Sequence, residues 1–372
     1  MIDYHLLLSV LIGVSILIIL ILKFKIQPFL GLLISSILVG VLAGVAPLEI
    51  MNTVKEGMGS TLGFVAVVVG LGAMFGAILE HSGGAEALAQ YLLKAFGEKN
   101  ASWALMITGF FIAIPVFFDV AFIILIPLVY SLQRKTKKSM LLYAIPLLAG
   151  LAITHAFIPP TPGPVAVADI LNADLGWVIL VGFIVGIPTA IVSGPIFGKF
   201  IASKIFIAAP KKIDEKVVDN FPPIRLILSI IATPILLIVL NTLLNSPLGS
   251  GLNLSDKTIT WLQMIGHPFS ALIIANLMAW YLLGIRRGVS KAILSKITSA
   301  SLAPAGIIIL LTGAGGVFKQ MLITTGTGEM LANYFSSIGL SVLLFSFLAA
   351  VCVRILQGSS TVAMITAAGI TS

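Results

Sequence analysis

The chain has 372 residues, of which 59% are hydrophobic and only 10% charged, and this composition indicates a polytopic membrane protein. The formal net charge of +8 would suggest a nucleic-acid partner in a soluble protein, but the cations cluster in short loops between apolar runs, which excludes that class. The single cysteine, Cys352, excludes an internal disulfide and a cysteine metal site, and we expect neither a metal nor a cofactor.

The first apolar segment, at about residues 5–22, is expected to remain in the mature protein as a membrane span. No Lys or Arg precedes it and no small-residue cleavage site follows it, which argues against a secretory signal. The basic residues further along the chain fall into four groups, which the positive-inside rule places in the cytoplasm. These groups are Lys23 and Lys25; Arg134, Lys135, Lys137 and Lys138; Lys199, Lys204, Lys211, Lys212, Lys216 and Arg225; and Arg286, Arg287, Lys291 and Lys296.

Residues 102–132 form an apolar segment that contains I-P-V-F-F-D-V-A-F, with Asp119 in its middle. As a single helix the segment would be about 46 Å long, well beyond the roughly 30 Å of bilayer hydrocarbon, and Pro115 interrupts it. A single crossing would place the basic group at Arg134 outside the cell. A segment that enters from the cytoplasm, turns near Pro115 and returns keeps all four basic groups inside. We therefore predict a re-entrant hairpin at about residues 102–132.

The next apolar stretch, at about residues 139–172, is also too long for one straight crossing. In its middle lies T-H-A-F-I-P-P-T-P-G-P-V-A, residues 154–166, with four prolines in six positions. We predict a broken helix here, because proline removes backbone donors and disrupts the preceding turn. Unwound backbone at membrane depth is tolerated only where it is buried in protein or lines a wet cavity. The N-terminal ends of half-helices at such a break favour an anionic guest.

The two halves of the chain contain a repeated pattern. Residues 70–89 match residues 313–332 at a constant offset of 243, and the same offset places Pro115 opposite Gly358, where a second apolar segment breaks. Counting crossings gives the two halves opposite orientations. We therefore predict an all-α polytopic membrane protein with inverted-topology repeats, re-entrant helical hairpins and interrupted helices, a pattern typical of secondary transporters.

This pattern predicts an N-terminal repeat at residues 1–205, a cytoplasmic basic linker at 206–222 and a C-terminal repeat at 223–372. The position equivalent to His155 in the second repeat would be 398, beyond the last residue, Ser372. We therefore expect the second repeat to be truncated after its hairpin. A shortened variant that still works is the alternative.

Three motifs, in this order, resemble the gluconate:proton symporter (gluconate permease, GntP) family within the broader ion transporter superfamily. They are I-P-V-F-F-D-V-A-F, T-H-A-F-I-P-P-T-P-G-P-V-A and R-I-L-Q-G-S-S-T-V-A. The resemblance implies a transporter, not an enzyme, that takes up gluconate or a related sugar acid with protons across the bacterial inner membrane. It also implies a homodimer in the lipid bilayer and an elevator mechanism, in which a hairpin-bearing transport domain moves against a scaffold.

Three ionisable residues near the breaks are candidates for the transport chemistry. Asp119 and His155 are candidate proton carriers, because an ionisable group in a membrane interior is usually functional and histidine titrates near neutral pH. Arg354 could pair with the carboxylate of a substrate. Each has a structural alternative: Asp119 could bond to hairpin backbone, His155 could be a packing residue, and Arg354 could form a salt bridge or lie at the membrane interface.

The predicted substrate-binding residues lie in the three motifs. Their hydroxyl and amide groups could bind a polyol acid, although Ser and Thr side chains also bond back onto their own helices. The set is Phe117, Phe118, Asp119, Thr161, Gly163, Arg354, Gln357, Gly358, Ser359, Ser360 and Thr361.

Other classes of membrane protein lack their motifs in this chain. It has neither paired membrane aspartates nor H-E-x-x-H, as an intramembrane protease would need, and no G-x-x-x-x-G-K-[ST], as a primary pump would need. A symporter is therefore the favoured interpretation. A channel, or a transport-incompetent protein that still binds the substrate, remains an alternative.

Overall fold

A computed structural model of the protein describes residues 4–210, 221–245, 255–327, 330, 341–357 and 360–371. Within these ranges every regular element is helical, with short 3₁₀ or π turns at Glu98–Asn100, Val192–Ile196, Trp280–Gly284 and Ile285–Arg287. The α-helices are α1 (Tyr4–Leu22), α2 (Pro28–Leu42), α3 (Pro47–His81), α4 (Gly84–Phe96), α5 (Ala101–Ile112), α6 (Phe118–Thr136), α7 (Leu141–Phe157), α8 (Pro162–Ile170), α9 (Leu175–Ile191), α10 (Phe197–Lys204), α11 (Ile224–Asn245), α12 (Asp256–Gly266), α13 (Pro268–Ala279), α14 (Lys291–Thr324), α15 (Val342–Gln357) and α16 (Ser360–Thr371).

Seven helical stretches in the described ranges are long and apolar enough to cross a membrane. This confirms the predicted all-α polytopic membrane protein, and the first stretch agrees with the span expected at about residues 5–22. The seven stretches are Tyr4–Leu22, Pro47–His81, Leu141–Ile170, Leu175–Lys204, Ile224–Asn245, Pro268–Arg287 and Lys291–Thr324.

The helices form two compact units. The first unit contains Met1–Val67, Val165–Ala173 and Pro304–Ser372, and the second contains Val68–Pro164 and Asp174–Ala303. Each unit draws on both predicted repeats, so these units are a different division of the chain from residues 1–205 and 223–372. The repeat boundaries and their inverted topology stay predictions. Most of the predicted linker, residues 211–220, lies outside the described residues.

Helices α5 and α7 run parallel in the core of the second unit. Near the start of both helices the Ser102 hydroxyl donates to the Leu142 carbonyl at 2.7 Å. Near their ends the Thr154 hydroxyl donates to the Phe110 carbonyl at 2.8 Å. Each hydroxyl thus bonds to a backbone carbonyl of the neighbouring helix. A membrane interior requires such bonds, because it offers polar groups no water as a partner. The two helices are therefore held in register along their length.

Glycines allow α5 and α7 to approach with their backbones in contact. A Cβ atom at Gly109 would lie 2.5 Å from the Leu147 carbonyl oxygen, and one at Gly150 would collide with the Met106 carbonyl oxygen. Small residues at such contacts are the usual means of close packing between membrane helices, where lipid offers no hydrophobic drive for association. Only glycine fits at these two positions without movement of a helix.

The segment between α4 and α7 begins and ends beside the N-terminal end of α7. Its α5 part starts beside Leu142, and at the end of α6 the Tyr143 hydroxyl donates to the Thr136 hydroxyl at 2.9 Å. Glu98 and Lys135, which flank the segment, form an exposed ion pair at 2.6 Å. Residues 113–117, around Pro115, are not helical and separate α5 from α6. Both ends of the segment are thus together, the geometry expected of a hairpin; the side of the membrane that it enters from stays a prediction.

Alanine at Gly150 would drive a methyl group into the backbone of α5. We expect Gly150→Ala to lower the free energy of unfolding by about 1 to 3 kcal/mol. The matched control is Gly59→Ala, since Gly59 is a helical glycine with nothing within 4 Å of an added Cβ atom. Alanine there should raise the stability by up to about 1 kcal/mol. Thermal unfolding in detergent compares the two, and equal midpoints would contradict the close packing of α5 on α7.

Candidate functional site

A small cavity, with room for about one water molecule in this conformation, lies in the second unit where the two predicted breaks meet. One wall is α3, a second is the interruption at residues 113–117, and a third is the end of α7 with the proline-rich break at residues 158–161. The walls are mostly apolar, with a histidine and a threonine as polar side chains. The lining residues are Val69, Gly72, Ala73, Ile114, Pro115, Val116, Phe117, His155, Pro160, Thr161 and Pro162.

Glycines of α3 let the unwound backbone approach the helix closely. A Cβ atom at Gly76 would collide with the Pro115 carbonyl oxygen, and one at Gly72 would lie 3.5 Å from the Pro160 carbonyl oxygen. The first contact excludes any larger residue at Gly76, whereas the second is ordinary van der Waals contact. The Pro115 turn is therefore seated directly on α3, which fixes one wall of the cavity.

The proline-rich break places the start of α8 at the cavity. The Thr161 hydroxyl donates to the Ile158 carbonyl at 2.6 Å, which leaves its oxygen able to accept a hydrogen bond. A helix start normally leaves four N–H groups without partners. Because Pro162 and Pro164 carry no N–H, only Gly163 and Val165 bring such donors among the first four residues of α8. The prolines thus halve the number of polar groups that this start must satisfy.

The start of α6 reaches the same cavity. Phe117 occupies the N-cap position of α6, has no side-chain capping bond and lines the cavity. The N–H groups in the first turn of α6 therefore lack the oxygen that Ser, Thr, Asp or Asn would supply at that position. Two half-helix starts, each the positive end of a helix dipole, thus line one small space.

His155 is half-buried in the cavity wall, and Asp119 lies near it. The ring of Phe118 is 6.4 Å from the imidazole ring of His155, centre to centre. The Asp119 carboxylate, exposed on the first turn of α6, is close enough to interact electrostatically with the imidazole. Among the described residues none forms a hydrogen bond or ion pair with Asp119, so the backbone-bonded alternative has no support there. An acid in the first turn of a helix is instead stabilised by the helix dipole.

The cavity brings together the predicted residues of the first two motifs. Phe117, His155 and Thr161 line it, Phe118 and Asp119 lie beside His155, and buried Gly163 follows Pro162 in α8. Their roles in binding and proton coupling are not decided by this placement and stay predictions.

The described residues of the third motif belong to the first unit. Arg354 is exposed on α15, Ser360 is half-buried and Thr361 is buried at the start of α16. Gly358, Ser359 and the side chain of Gln357 lie outside the described residues. A role of this motif in substrate binding stays a prediction.

Asn276 on α13 supports the α3 wall and was missed by the sequence analysis. Only 8% of it is exposed, and its amide donates at 2.9 Å to both the Leu71 and the Leu272 carbonyls. Leu71 adjoins Gly72 in the cavity wall. The available signal was a lone amide inside an apolar span, since buried polar groups between membrane helices hold those helices together.

Metal ligation has no candidate in the part of the chain that the structure describes, where no three His, Cys, Asp or Glu residues form a group able to hold an ion.

The model of the GntP family permeases matches residues 5–372. The chain belongs to the GntP family of permeases. The gluconate permease of Pseudomonas aeruginosa is 37% identical over 99% of this chain and 82% of the relative's length. The low-affinity gluconate transporter of Escherichia coli is 39% identical over 96% of this chain and 80% of its own length. The Gnt-II system L-idonate transporter of Escherichia coli is 34% identical over 96% of this chain and 81% of its own length.

Family membership confirms the resemblance seen in the three motifs. As a member of a permease family the chain is a transport protein and not an enzyme. Together with the seven apolar helices, the family makes it a multi-pass protein of the bacterial inner membrane.

Accessibility of single cysteines tests whether water reaches the GntP permease cavity. In a Cys352→Ser background, Phe117→Cys should react with a water-soluble maleimide at least about tenfold faster than Ala113→Cys, because exposure controls thiol reactivity. Ala113 lies in the same interruption but is fully buried and does not line the cavity. Equal labelling rates for the two thiols, measured by mass spectrometry in detergent, would show that the cavity is closed or wrongly placed.

Proposed function

We propose that the chain is a proton-coupled symporter that takes up gluconate or a related sugar acid across the inner membrane. The observation that carries the proposal is the convergence of two half-helix starts, α6 at Phe117 and α8 at Pro162, on one small cavity beside His155. The family adds support, because its relatives include transporters named for gluconate and for L-idonate, two sugar acids.

The chemical groups around the cavity suit a small anion with many hydroxyl groups, which would need the cavity to widen as it binds. A sugar-acid carboxylate would lie between the starts of α6 and α8, where N–H groups and helix dipoles favour negative charge. Its hydroxyls would meet Thr161 and His155, beside Phe117 and the apolar residues of α3. The lining residues include no lysine or arginine, so the cavity itself can offset substrate charge only through the helix starts and a proton.

His155 and Asp119 are the groups that could carry this proton. An unpaired carboxylate substrate in a region of low dielectric is costly, and the Asp119 charge would add to that cost. A proton on either residue removes one unit of negative charge from the site when substrate binds. We therefore expect substrate affinity to rise as the pH falls, whichever of the two is the main carrier.

Three further features belong to the same proposal. Arg354 would pair with the substrate carboxylate, and Gln357, Gly358, Ser359, Ser360 and Thr361 would complete the site from the second repeat. A homodimer would provide the scaffold against which a hairpin-bearing transport domain moves. Support for these features comes from the third motif and from the family.

Uptake into proteoliposomes tests the function directly. With an inward proton gradient, the purified chain should accumulate labelled gluconate above the external concentration, because proton entry drives the sugar acid uphill. Collapse of the gradient with a protonophore should abolish accumulation but not equilibration. Equilibration that never exceeds the external concentration would indicate a channel, and binding without flux would indicate a transport-incompetent protein.

Single substitutions test the proton carrier. Either Asp119→Asn or His155→Gln should abolish accumulation driven by a pH gradient and retain gluconate exchange, because substrate contacts persist when the titrating group is lost. The matched control is His267→Gln, since His267 is an exposed histidine whose ring accepts a bond from the Phe269 N–H.

Calorimetric titration with gluconate from about pH 5.5 to about pH 8 should give a pH-dependent affinity in the unsubstituted chain and a flatter one in the variant that lost the carrier. Full pH-driven accumulation by both single variants would return both residues to structural roles.

A further inference from the structure

Lys319 lies on the apolar helix α14, in which the sequence predicted no functional residue. It is half-buried, and its ammonium group donates to the carbonyl of Ile170, the last residue of α8. Both residues belong to the first unit. A charged group on a membrane helix is expensive and is rarely placed without a partner or a role.

The end of α8 shows what this bond accomplishes. The last four carbonyls of a helix have no partner within the helix. Three of these four carbonyls in α8 accept hydrogen bonds from N–H groups just past the helix. The chain turns there through Asn172, which has a left-handed backbone conformation. These bonds are Leu171 to Val167 at 3.0 Å, Asn172 to Asp169 at 3.1 Å and Ala173 to Ala168 at 2.7 Å. The fourth carbonyl, that of Ile170, accepts from Lys319.

The charge of Lys319 has a second effect at the same place. Asp169 lies in the last turn of α8, where its negative charge faces the negative end of the helix dipole. The positive charge of Lys319 attracts this carboxylate. One ammonium group thus bonds the helix end and attracts the nearby acid, and its loss would remove both interactions.

The other end of this short helix is at the cavity. Helix α8 has nine residues, a length of about 13 Å, and Pro162 at its start lines the cavity next to Thr161. A helix this short has little stability of its own, so its position depends on what holds its ends. In the alignment of the two halves, Lys319 is opposite Gly76, which also contacts a carbonyl, that of Pro115.

We propose that Lys319 is a positioning residue, which holds the C-terminal end of α8 and so fixes the Thr161–Pro162 wall of the substrate site. The part of this inference that concerns substrate rests on the proposed function. The part that concerns α8 does not, because it is a statement about one helix end and its hydrogen bond.

Amide hydrogen exchange on the full chain in lipid nanodiscs, without any substrate, measures how strongly the α8 amides are protected. Lys319→Met should speed exchange of the α8 amides about tenfold or more, as expected for loss of a charged hydrogen bond, and leave α5 unchanged. Lys319→Arg, which keeps the charge and the donor, should stay within about threefold of the parent. The matched control Lys296→Met changes an exposed lysine of the same helix and should have no effect.

Two further variants and one binding measurement complete the test. Asp169→Asn combined with Lys319→Met should recover part of the lost protection, because no uncompensated acid remains. Lys319→Gln, which keeps a donor without the charge, should fall between Lys319→Met and the parent. Calorimetry should show gluconate bound about tenfold more weakly by Lys319→Met than by the parent.

The outcomes are distinguishable. Unchanged exchange in α8, or equally faster exchange throughout the chain, would overturn the assignment of Lys319 to α8. Faster exchange confined to α8 with unchanged gluconate affinity would overturn its link to the substrate site. Failure of the unsubstituted chain to bind gluconate would overturn the proposed function, and the exchange measurement would still decide the role of Lys319.

Discussion

Backbone polar groups in a membrane interior must find partners inside the protein, and the described helices are arranged around this constraint. In a continuous helix, hydrogen bonds within the helix supply these partners. Where Pro115 and the proline-rich segment break the helix, the freed groups must contact another part of the protein or a solute. The breaks therefore lie against α3, whose glycines admit their carbonyls, and enclose the cavity.

The two ends of α8 meet the constraint in opposite ways. At its start, prolines remove donors that would otherwise lack partners, and Gly163 and Val165 remain to interact with a negative guest. At its end, every carbonyl has a partner, the last one supplied by Lys319. A half-helix with a satisfied end and an incompletely satisfied start is polarised toward the cavity, which is the property that an anion site needs.

The sequence predicted the breaks well, because proline acts locally. Both interruptions lie where Pro115 and the prolines at 159–164 indicated, whereas the entry of the segment around Asp119 from the cytoplasm stays a prediction. Contacts between helices far apart in the chain were not predictable in the same way. The Asn276 amide and the Lys319 charge are conspicuous in apolar spans, but nothing in the local sequence identifies Leu71 or Ile170 as their partners.

The backbone contacts of α5, α7 and α3 have a consequence for how transporters of this design diversify. Gly76, Gly109 and Gly150 tolerate no larger residue without movement of a helix, so the frame around the cavity resists change. Val69, Phe117 and Thr161, by contrast, line the space with their side chains. Selection for a different substrate, in nature or in a laboratory library, should therefore act on these positions and leave the glycines alone.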